Sequence, residues 1–333
     1  MSEHPTSFRA WRCHAFGDYH DLAVETVAAR APAAGEVLVR TRAFAVGFPD
    51  MLMVQGKYQY KPPLPFTPCA EFAGEVLAVG AEVTRFRPGD RVMGTIRAGA
   101  AGERVLTAAS DCMKLPDNFD YAHGAAFIIG YKTAYVALVV RGALRPGETL
   151  LVHGAAGGVG LAAVEMAAAM GARVIGMAAG RAKLEMVRAR GATAVIDYAE
   201  GPFRQAIKAW TDGRGADVVF DPVGGDVFDE SLHCVAPFGR VLVIGFAAGR
   251  IPTATVNHVL LKQYSIVGVR AGEYGRVYLE GGRQVNAALE TWSASGKLMP
   301  HVHARLRFDQ LIEALDMIAA RQVLGRVVCE IPE

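Results

Sequence analysis

Residues 149–160 read TLLVHGAAGGVG, a short apolar run followed by closely spaced glycines. The run is typical of a buried strand, and the Ala-rich segment that follows is typical of a helix. Glycines at such a junction let the backbone turn tightly, and the helix N-terminus stabilises the negative charge of a phosphate. The pattern predicts a dinucleotide-binding turn made of Gly154, Ala156, Gly157, Gly158, Val159 and Gly160.

The alternation of strand and helix continues far beyond this turn. Strands are predicted at 149–153, 173–177, 194–197, 217–221, 240–245 and 264–270. Helices are predicted at 157–170, 181–190, 203–210, 227–234 and 284–295. Such a series is typical of an α/β fold with a doubly wound parallel sheet, the Rossmann fold.

The sequence on either side of this series has a different rhythm. From about residue 10 to 116, short apolar runs are separated by turn signals such as Arg87-Pro88-Gly89-Asp90, which predicts strands of a small barrel or sandwich. The chain leaves the α/β pattern again after Gly296. We therefore predict one domain from residues 1–121 and 296–333, and a nucleotide-binding Rossmann domain at 122–295.

The residues after the second Rossmann strand indicate which dinucleotide is bound. NAD sites place an Asp or Glu about 20 residues beyond the glycines, where it accepts a hydrogen bond from the ribose 2′-hydroxyl. Here the chain reads Ala178-Ala179-Gly180-Arg181-Ala182-Lys183, which is basic. Arg181 and Lys183, next to Gly180, have the charge to neutralise a 2′-phosphate, so NADPH is the predicted cofactor. The alternative is that both cations only open a surface helix.

Composition argues against several other classes of protein. The net charge is +2 and the basic residues are scattered, so no surface for nucleic acid is predicted. Five cysteines occur without a CxxC pair, which favours reduced structural thiols and offers no set of zinc ligands. No secretory signal opens the chain, and the apolar stretch 159–170 is too short to span a membrane. A cytoplasmic enzyme without nucleic-acid or membrane partners is predicted.

Two segments carry a resemblance to a known family. Residues 46–50 read VGFPD, and residues 55–68 read QGKYQYKPPLPFTP. Shorter matches accompany them along the chain at Gly89–Val92, Pro146–Glu148, Asp221–Gly225, Gly296–Leu298 and Gly325–Val328. Together the segments resemble the quinone oxidoreductase (zeta-crystallin-like) branch of the medium-chain dehydrogenase/reductase superfamily. The resemblance implies a GroES-like β-barrel domain, built from both ends of the chain, around a Rossmann insert.

The resemblance also implies roles for residues outside the glycine turn. Lys183 and Tyr198 match positions at the 2′-phosphate end of the cofactor, and Tyr198 follows the third strand on the adenine side. Thr133 matches a residue near the nicotinamide ring, and Phe246 follows the strand whose end faces that ring. Tyr58 matches a residue that lines the substrate cleft, where it acts either as a hydrogen-bond or proton donor or as an aromatic wall.

The chain departs from the family pattern at several positions. Gly47 replaces a usual Asn beside the nicotinamide, Lys132 and Cys69 each replace a usual Gly, and Arg270 replaces an apolar or aromatic residue. The stretches that hold the catalytic metal in zinc-dependent relatives contain neither a matching Cys nor a matching His, so no metal is predicted. Relatives commonly dimerise through the last Rossmann strand, so a homodimer is expected here.

These observations predict an NADPH-dependent reductase that transfers hydride to a small electron-poor molecule. A quinone is the first expectation, because such an acceptor needs little electrophilic assistance from the protein. One alternative is a reductase of the C=C bond of an alkenal, an enone or an enoyl thioester. Another alternative is a protein that binds NADPH without catalysis.

Overall fold

The computed structural model describes residues 7–332. The chain forms two compact units, one that extends to Ile128 and resumes at Met299, and one that comprises Ile129–Leu298. The second unit is thus inserted in the sequence of the first. The domain limits at residues 121 and 296 stay a prediction.

The strands and helices of both units are numbered in chain order. The strands are β1 (Ser7–Arg12), β2 (Ala23–Ala28), β3 (Glu36–Val46), β4 (Glu71–Val79), β5 (Arg91–Thr95), β6 (Arg104–Ala108), β7 (Cys112–Lys114), β8 (Thr149–Val152), β9 (Arg173–Ala178), β10 (Ala194–Asp197), β11 (Ala216–Asp221), β12 (Val235–Val243), β13 (Ser265–Gly268), β14 (Val302–Arg307) and β15 (Arg326–Glu330). The helices are α1 (Phe48–Val54), α2 (Tyr121–Tyr135), α3 (Gly158–Ala169), α4 (Arg181–Ala189), α5 (Arg204–Trp210), α6 (Gly225–Cys234), α7 (Val256–Lys262), α8 (Ala271–Val277), α9 (Leu279–Ala294) and α10 (Leu311–Ala319).

The inserted unit contains a six-stranded sheet in the order β10-β9-β8-β11-β12-β13. All of its strand pairs are parallel. Numbered within the sheet, the order is 3-2-1-4-5-6, so the chain reverses direction across the sheet between β8 and β11. The predicted doubly wound parallel sheet is confirmed.

Helices pack closely on this sheet because small residues face it. The backbone at Gly176 in β9 leaves so little room that a Cβ would lie 2.3 Å from the side chain of Val187 in α4. In the central strand β8, the side chains of Leu150, Leu151 and Val152 are all fully buried. A strand that is apolar on both faces is covered by helices on both sides, as the continuous run at 149–152 predicts.

The other unit is built on a seven-stranded, mostly antiparallel sheet. Its strands follow the order β14-β15-β3-β4-β5-β7, and β6 pairs with β3. β15 lies parallel to β14 and antiparallel to β3, so it joins the start of the chain to its last residues. Phe44, Phe72 and Met93 are fully buried in this unit. A separate hairpin is formed by β1 and β2.

One helical stretch is longer and more apolar than the sequence pattern indicated. Helix α2 continues as a π-helical segment, Val136–Arg141, and residues Tyr121–Arg141 are long and apolar enough to cross a membrane. No helix was predicted at 121–141. Because 61% of the apolar window in Tyr121–Arg141 is buried inside the protein, core packing explains its composition.

Candidate functional site

The glycine turn after β8 has a geometry that only glycine permits. Gly154 has φ +56°, in the left-handed region, and its carbonyl accepts the Gly157 N–H at 3.0 Å. A Cβ at Gly160 would lie 2.2 Å from the Gly154 carbonyl oxygen. The turn and the first turn of α3 are therefore in direct backbone contact, and any side chain at Gly160 would separate them.

This turn leads directly into the N-terminus of a twelve-residue helix, α3. The N–H of Leu161 donates to the Gly157 carbonyl at 2.8 Å. The N–H groups of Gly158, Val159 and Gly160 come before this bond and have no acceptor within the helix. Such a cluster of N–H groups at the positive end of the helix dipole suits a phosphate ester.

The side chains of Tyr198, His153 and Ser231 form a chain of hydrogen bonds that ends at the backbone of the turn. The Gly154 N–H donates to the Tyr198 hydroxyl at 3.0 Å. That hydroxyl lies 3.2 Å from His153 Nδ1, and His153 Nε2 lies 2.7 Å from Ser231 Oγ. Burial lowers the pKa of His153 to about 3, so the imidazole is neutral at physiological pH. His153 is thus fully buried between two hydrogen-bond partners and is not placed to act as a general base.

The basic segment predicted to bind the 2′-phosphate begins helix α4. Gly180 has φ +87°, and its N–H donates to Asp197 Oδ2 at 3.1 Å. Arg181 is exposed, and its Nε donates to Glu185 Oε1 at 2.7 Å. Lys183 lies half-buried in the same first turn. The ends of β9 and β10 therefore meet where the sequence predicts the adenosine end of the cofactor.

An open depression of about 440 Å³ lies beside this segment, between α4 and β10. Arg181 and Arg188 line it together with Asp197 and Glu200. Because cations and carboxylates both line the depression, its surface is neither uniformly positive nor uniformly negative. The sequence predicted Arg181 and missed Asp197, although an Asp at the end of a short strand commonly accepts hydrogen bonds from backbone N–H groups of the turn that follows.

A second loop contacts the glycine turn across the reversal point of the sheet. Asp221 ends β11, and its Oδ1 accepts the N–H groups of Val223 and Gly224 at 2.8 and 2.9 Å. A Cβ at Gly154 would lie 3.4 Å from Val223. Phe246 packs on Gly224, where a Cβ would lie 3.0 Å from its ring. The loops after β8 and β11 therefore lie side by side, where ligands bind in open α/β sheets.

The remaining predicted residues of the inserted unit lie on its helices. Thr133 and Lys132 are half-buried in α2. Lys132 Nζ would lie 3.9 Å from a Cβ at Gly275 in α8. Arg270 is exposed and caps the N-terminus of α8 without a side-chain hydrogen bond. The structure assigns no chemical role to these three residues.

The other unit contains a buried charged cluster next to Gly47. Asp50 Oδ2 accepts the Gly47 N–H at 2.8 Å, which caps the start of α1. Arg326 forms an ion pair with the buried carboxylate of Glu71. A Cβ at Gly47 would lie 3.1 Å from Arg326 Nη1, so the departure from Asn at this position makes room for the guanidinium. Burial raises the pKa of Asp50 to about 6, although Arg326 opposes the shift.

Tyr58 and Cys69 belong to the same unit. Tyr58 is half-buried and packs against the apolar core, and its N–H donates to the Leu52 carbonyl at 3.2 Å. Cys69 is buried at φ +65°, a left-handed conformation that suits the glycine implied by the family resemblance at this position. Across residues 7–332, no three His, Cys, Asp or Glu side chains are grouped so that they could hold a metal ion.

Comparison with known proteins gives matches to both units. The profile described as alcohol dehydrogenase GroES-like domain matches residues 33–138, and the one described as zinc-binding dehydrogenase matches residues 158–287. The quinone oxidoreductase-like protein 2 homolog of Nematostella vectensis is 39% identical over 97% of this chain and 88% of its own length. The quinone oxidoreductase of Pseudomonas aeruginosa is 36% identical over 89% of this chain and 91% of its own.

Solved structures agree over nearly the whole chain. A probable oxidoreductase from Mycobacterium abscessus has a TM-score of 0.88 and 36% identity, with 98% of this chain and 100% of that chain covered. A mycobacterial protein solved in complex with NADPH has a TM-score of 0.90 and 28% identity, with 97% and 99% covered. The predicted combination of a GroES-like domain and a Rossmann-type sheet is confirmed. The chain belongs to the quinone oxidoreductase-like branch of the medium-chain dehydrogenase/reductase superfamily, a family of oxidoreductases.

Proposed function

We propose that this oxidoreductase binds NADPH and transfers its hydride to a quinone. The observation that carries the proposal is the glycine turn of the inserted unit, which presents the N-terminus of α3 beside a basic segment at the end of β9. Support also comes from the mycobacterial relative in complex with NADPH and from relatives described as quinone oxidoreductases. When bound, the nicotinamide supplies the hydride.

The residues of the turn fit a pyrophosphate. Gly157 and Gly158 have no side chains to cover the backbone. The N–H groups of residues 158–160 at the start of α3 can therefore donate to a ligand. We propose that these groups bind the pyrophosphate, while Ala156 and Val159 shape the wall of the turn. Thr133 and Phe246 are proposed to lie near the nicotinamide, as the family resemblance implies.

The preference for NADPH is proposed to depend on Arg181 and Lys183. Within the described chain, Arg181 uses Nε for Glu185, so both terminal nitrogens are available for a bidentate contact with a phosphate. The carboxylate that an NAD site requires at the end of the second strand is replaced by Gly180. Asp197 is close, but its oxygens accept the N–H groups of Gly180 and Ala199.

Affinity measurements and turnover test the cofactor assignment. Arg181→Ala with Lys183→Ala is expected to weaken NADPH binding by roughly tenfold or more and to leave NADH binding unchanged, because two charge-assisted contacts are lost. Lys208→Ala, an exposed lysine on α5, is the matched control and should change neither affinity. Equal affinity of the wild-type protein for NADH and NADPH would contradict the assignment.

The acceptor is tested separately from the cofactor. NADPH oxidation is measured with a benzoquinone, with an α,β-unsaturated aldehyde and with an enoyl thioester. Faster turnover of the quinone supports the proposal, and faster turnover of either other acceptor supports reduction of a C=C bond. Binding of NADPH without turnover of any acceptor would favour a non-catalytic role.

Tyr58→Phe, assayed with the best acceptor, tests the role of the phenol. A lower kcat would show that the phenol donates to the substrate, and an unchanged kcat would show that it only forms a wall.

We further propose a homodimer joined through the edge of the inserted sheet. β13 is the last strand of that sheet, and neighbouring α7 exposes Val256, Leu260 and Leu261. An apolar surface next to an open strand edge suits a second copy of the same edge.

A cytoplasmic location is proposed as well, because all five cysteines are free thiols, as in a reducing compartment.

A further inference from the structure

Tyr198, His153 and Ser231 form a chain of hydrogen bonds whose direction can be assigned at every step. Ser231 Oγ lies 2.7 Å from the Val227 carbonyl oxygen, which carries no proton, so the serine hydroxyl must donate there. The Ser231 oxygen therefore accepts from His153 Nε2, 2.7 Å away. The imidazole proton is thus on Nε2, and Nδ1 carries a lone pair.

The direction continues to the glycine turn. Because Nδ1 is an acceptor, the Tyr198 hydroxyl donates its single proton to His153. The Tyr198 oxygen then accepts the N–H of Gly154. The chain runs in one direction from Gly154 to the Val227 carbonyl, and every polar group in it has a partner. The neutral imidazole that it requires agrees with the lowered pKa of His153.

We propose that Tyr198 is a positioning residue that fixes the dinucleotide-binding turn and that it does not bind the cofactor phosphate. A phosphate needs hydrogen-bond donors, and the one proton of the phenol is already donated to a buried imidazole. The hydroxyl holds Gly154, whose carbonyl accepts the Gly157 N–H and closely approaches Gly160. His153 and Ser231 act through Tyr198. This assignment rests on the proposed dinucleotide function and differs from the phosphate contact that the family resemblance implies.

The two roles of Tyr198 predict different cofactor selectivity. Tyr198→Phe leaves the Gly154 N–H and His153 Nδ1 without a partner, so NADPH and NADH affinity should fall by a similar factor, roughly tenfold, and their ratio should not change. At saturating NADPH, kcat should stay within about twofold, because the turn is still occupied. Loss of NADPH affinity alone, with NADH binding intact, would overturn the proposal and assign the phenol to the 2′-phosphate.

Hydrogen exchange gives a readout that needs no cofactor. In the free protein, the Gly154 amide is expected to exchange faster in Tyr198→Phe than in the wild type, while amides of β11 keep their protection. Tyr264→Phe is the matched control, because Tyr264 is a buried tyrosine of the same unit whose hydroxyl lies 3.1 Å from His258 Nδ1. Unchanged exchange at Gly154 in Tyr198→Phe would contradict the proposed restraint.

A second variant tests the chain without altering the tyrosine. Ser231→Ala removes the acceptor for His153 Nε2. It should weaken the binding of both NADPH and NADH, but by a smaller factor than Tyr198→Phe does. The double variant should lose less affinity than the sum of the single losses, because the residues act through one chain. Strict additivity would show that Ser231 is not coupled to the turn. A wild-type protein that binds neither dinucleotide would refute the proposed function, whereas faster exchange at Gly154 in Tyr198→Phe would still support the restraint of the turn by Tyr198.

Discussion

Gly160 has the tightest backbone contact of the glycine turn, and Gly157 provides its natural control. A Cβ at Gly160 would lie 2.2 Å from the Gly154 oxygen, whereas a Cβ at Gly157 would lie 3.4 Å from the same atom. Gly160→Ala should therefore weaken NADPH binding by roughly tenfold or more, because overpacking a tight contact costs about 1–3 kcal/mol. Gly157→Ala should change binding much less. Calorimetric titration of both variants checks the difference, and similar losses would contradict it.

Asp50 gives the folded protein a pH dependence of opposite sign to that of an ordinary ion pair. Its pKa is raised from 3.8 to about 6, so the folded state holds the proton more tightly than the unfolded state. The resulting stability is complete below about pH 4 and is lost as the pH rises through about 6, by about 3 kcal/mol in all. Relative to Asp50→Asn, the wild type should become less stable over this window.

Urea denaturation at pH 4.5 and at pH 7.5 measures this difference for Asp50→Asn. Asparagine retains an oxygen that can accept the Gly47 N–H, so the capping bond at α1 is preserved. Asp90→Asn, at a partly exposed turn, serves as the control. A free energy of unfolding that differs between wild type and Asp50→Asn by the same amount at both pH values would refute the prediction.

At the residue scale, the sequence predicted the groups that are close together in the chain and missed those that are brought together by folding. The glycines of residues 154–160 and the cations at 181 and 183 are local patterns. Ser231 lies 78 positions from His153, and no local pattern joins them. Asp197 was missed as well, because it accepts its hydrogen bond from Gly180, 17 positions earlier in the chain.

At the element scale, the structure reproduces most predicted strands and helices within a few residues. β12 is an exception, because it begins at Val235, five residues before the predicted start at residue 240. The segment Pro237-Phe238-Gly239 reads as a turn, and Phe238 has φ +61°. Pairing of Ala216 with Val235 across a register shift keeps this irregular segment in the sheet. Helix α2 has no polar face, so no helical periodicity marked it.

Glu165 joins three helices of the inserted unit. It pairs with Arg190 at 2.9 Å, just beyond α4, and accepts a hydrogen bond from Tyr131 of α2. Glu165→Ala should lower the free energy of unfolding by about 3 kcal/mol, because it removes a largely buried carboxylate that binds both Arg190 and Tyr131. Glu185→Ala removes only an exposed pair with Arg181 and should cost less than about 1 kcal/mol. Chemical denaturation separates the two, and equal losses would contradict the proposed bridge.

At the scale of the whole molecule, the proposed homodimer depends on the apolar surface of α7 beside β13. The wild type is expected to scatter light as about twice the 35.5 kDa chain. Leu260→Asp with Leu261→Asp should give a single-chain mass, because two charges would be buried at the proposed interface. Trp210→Asp, an exposed apolar residue on α5, is the control and should leave the mass unchanged. A wild-type mass near one chain would refute the homodimer.

The position of β15 in the sheet of the first unit affects how the protein is made. Residues 43–46 of β3 pair with residues 327–330 on one edge and with β4 on the other, so the first edge stays unpaired until a segment far along the chain has been synthesised. At about 5–20 residues per second, the wait is on the order of tens of seconds, and all strands of the inserted sheet are synthesised during it. The nascent chain therefore exposes one unpaired strand edge for that time, a feature that invites aggregation and that chaperones protect.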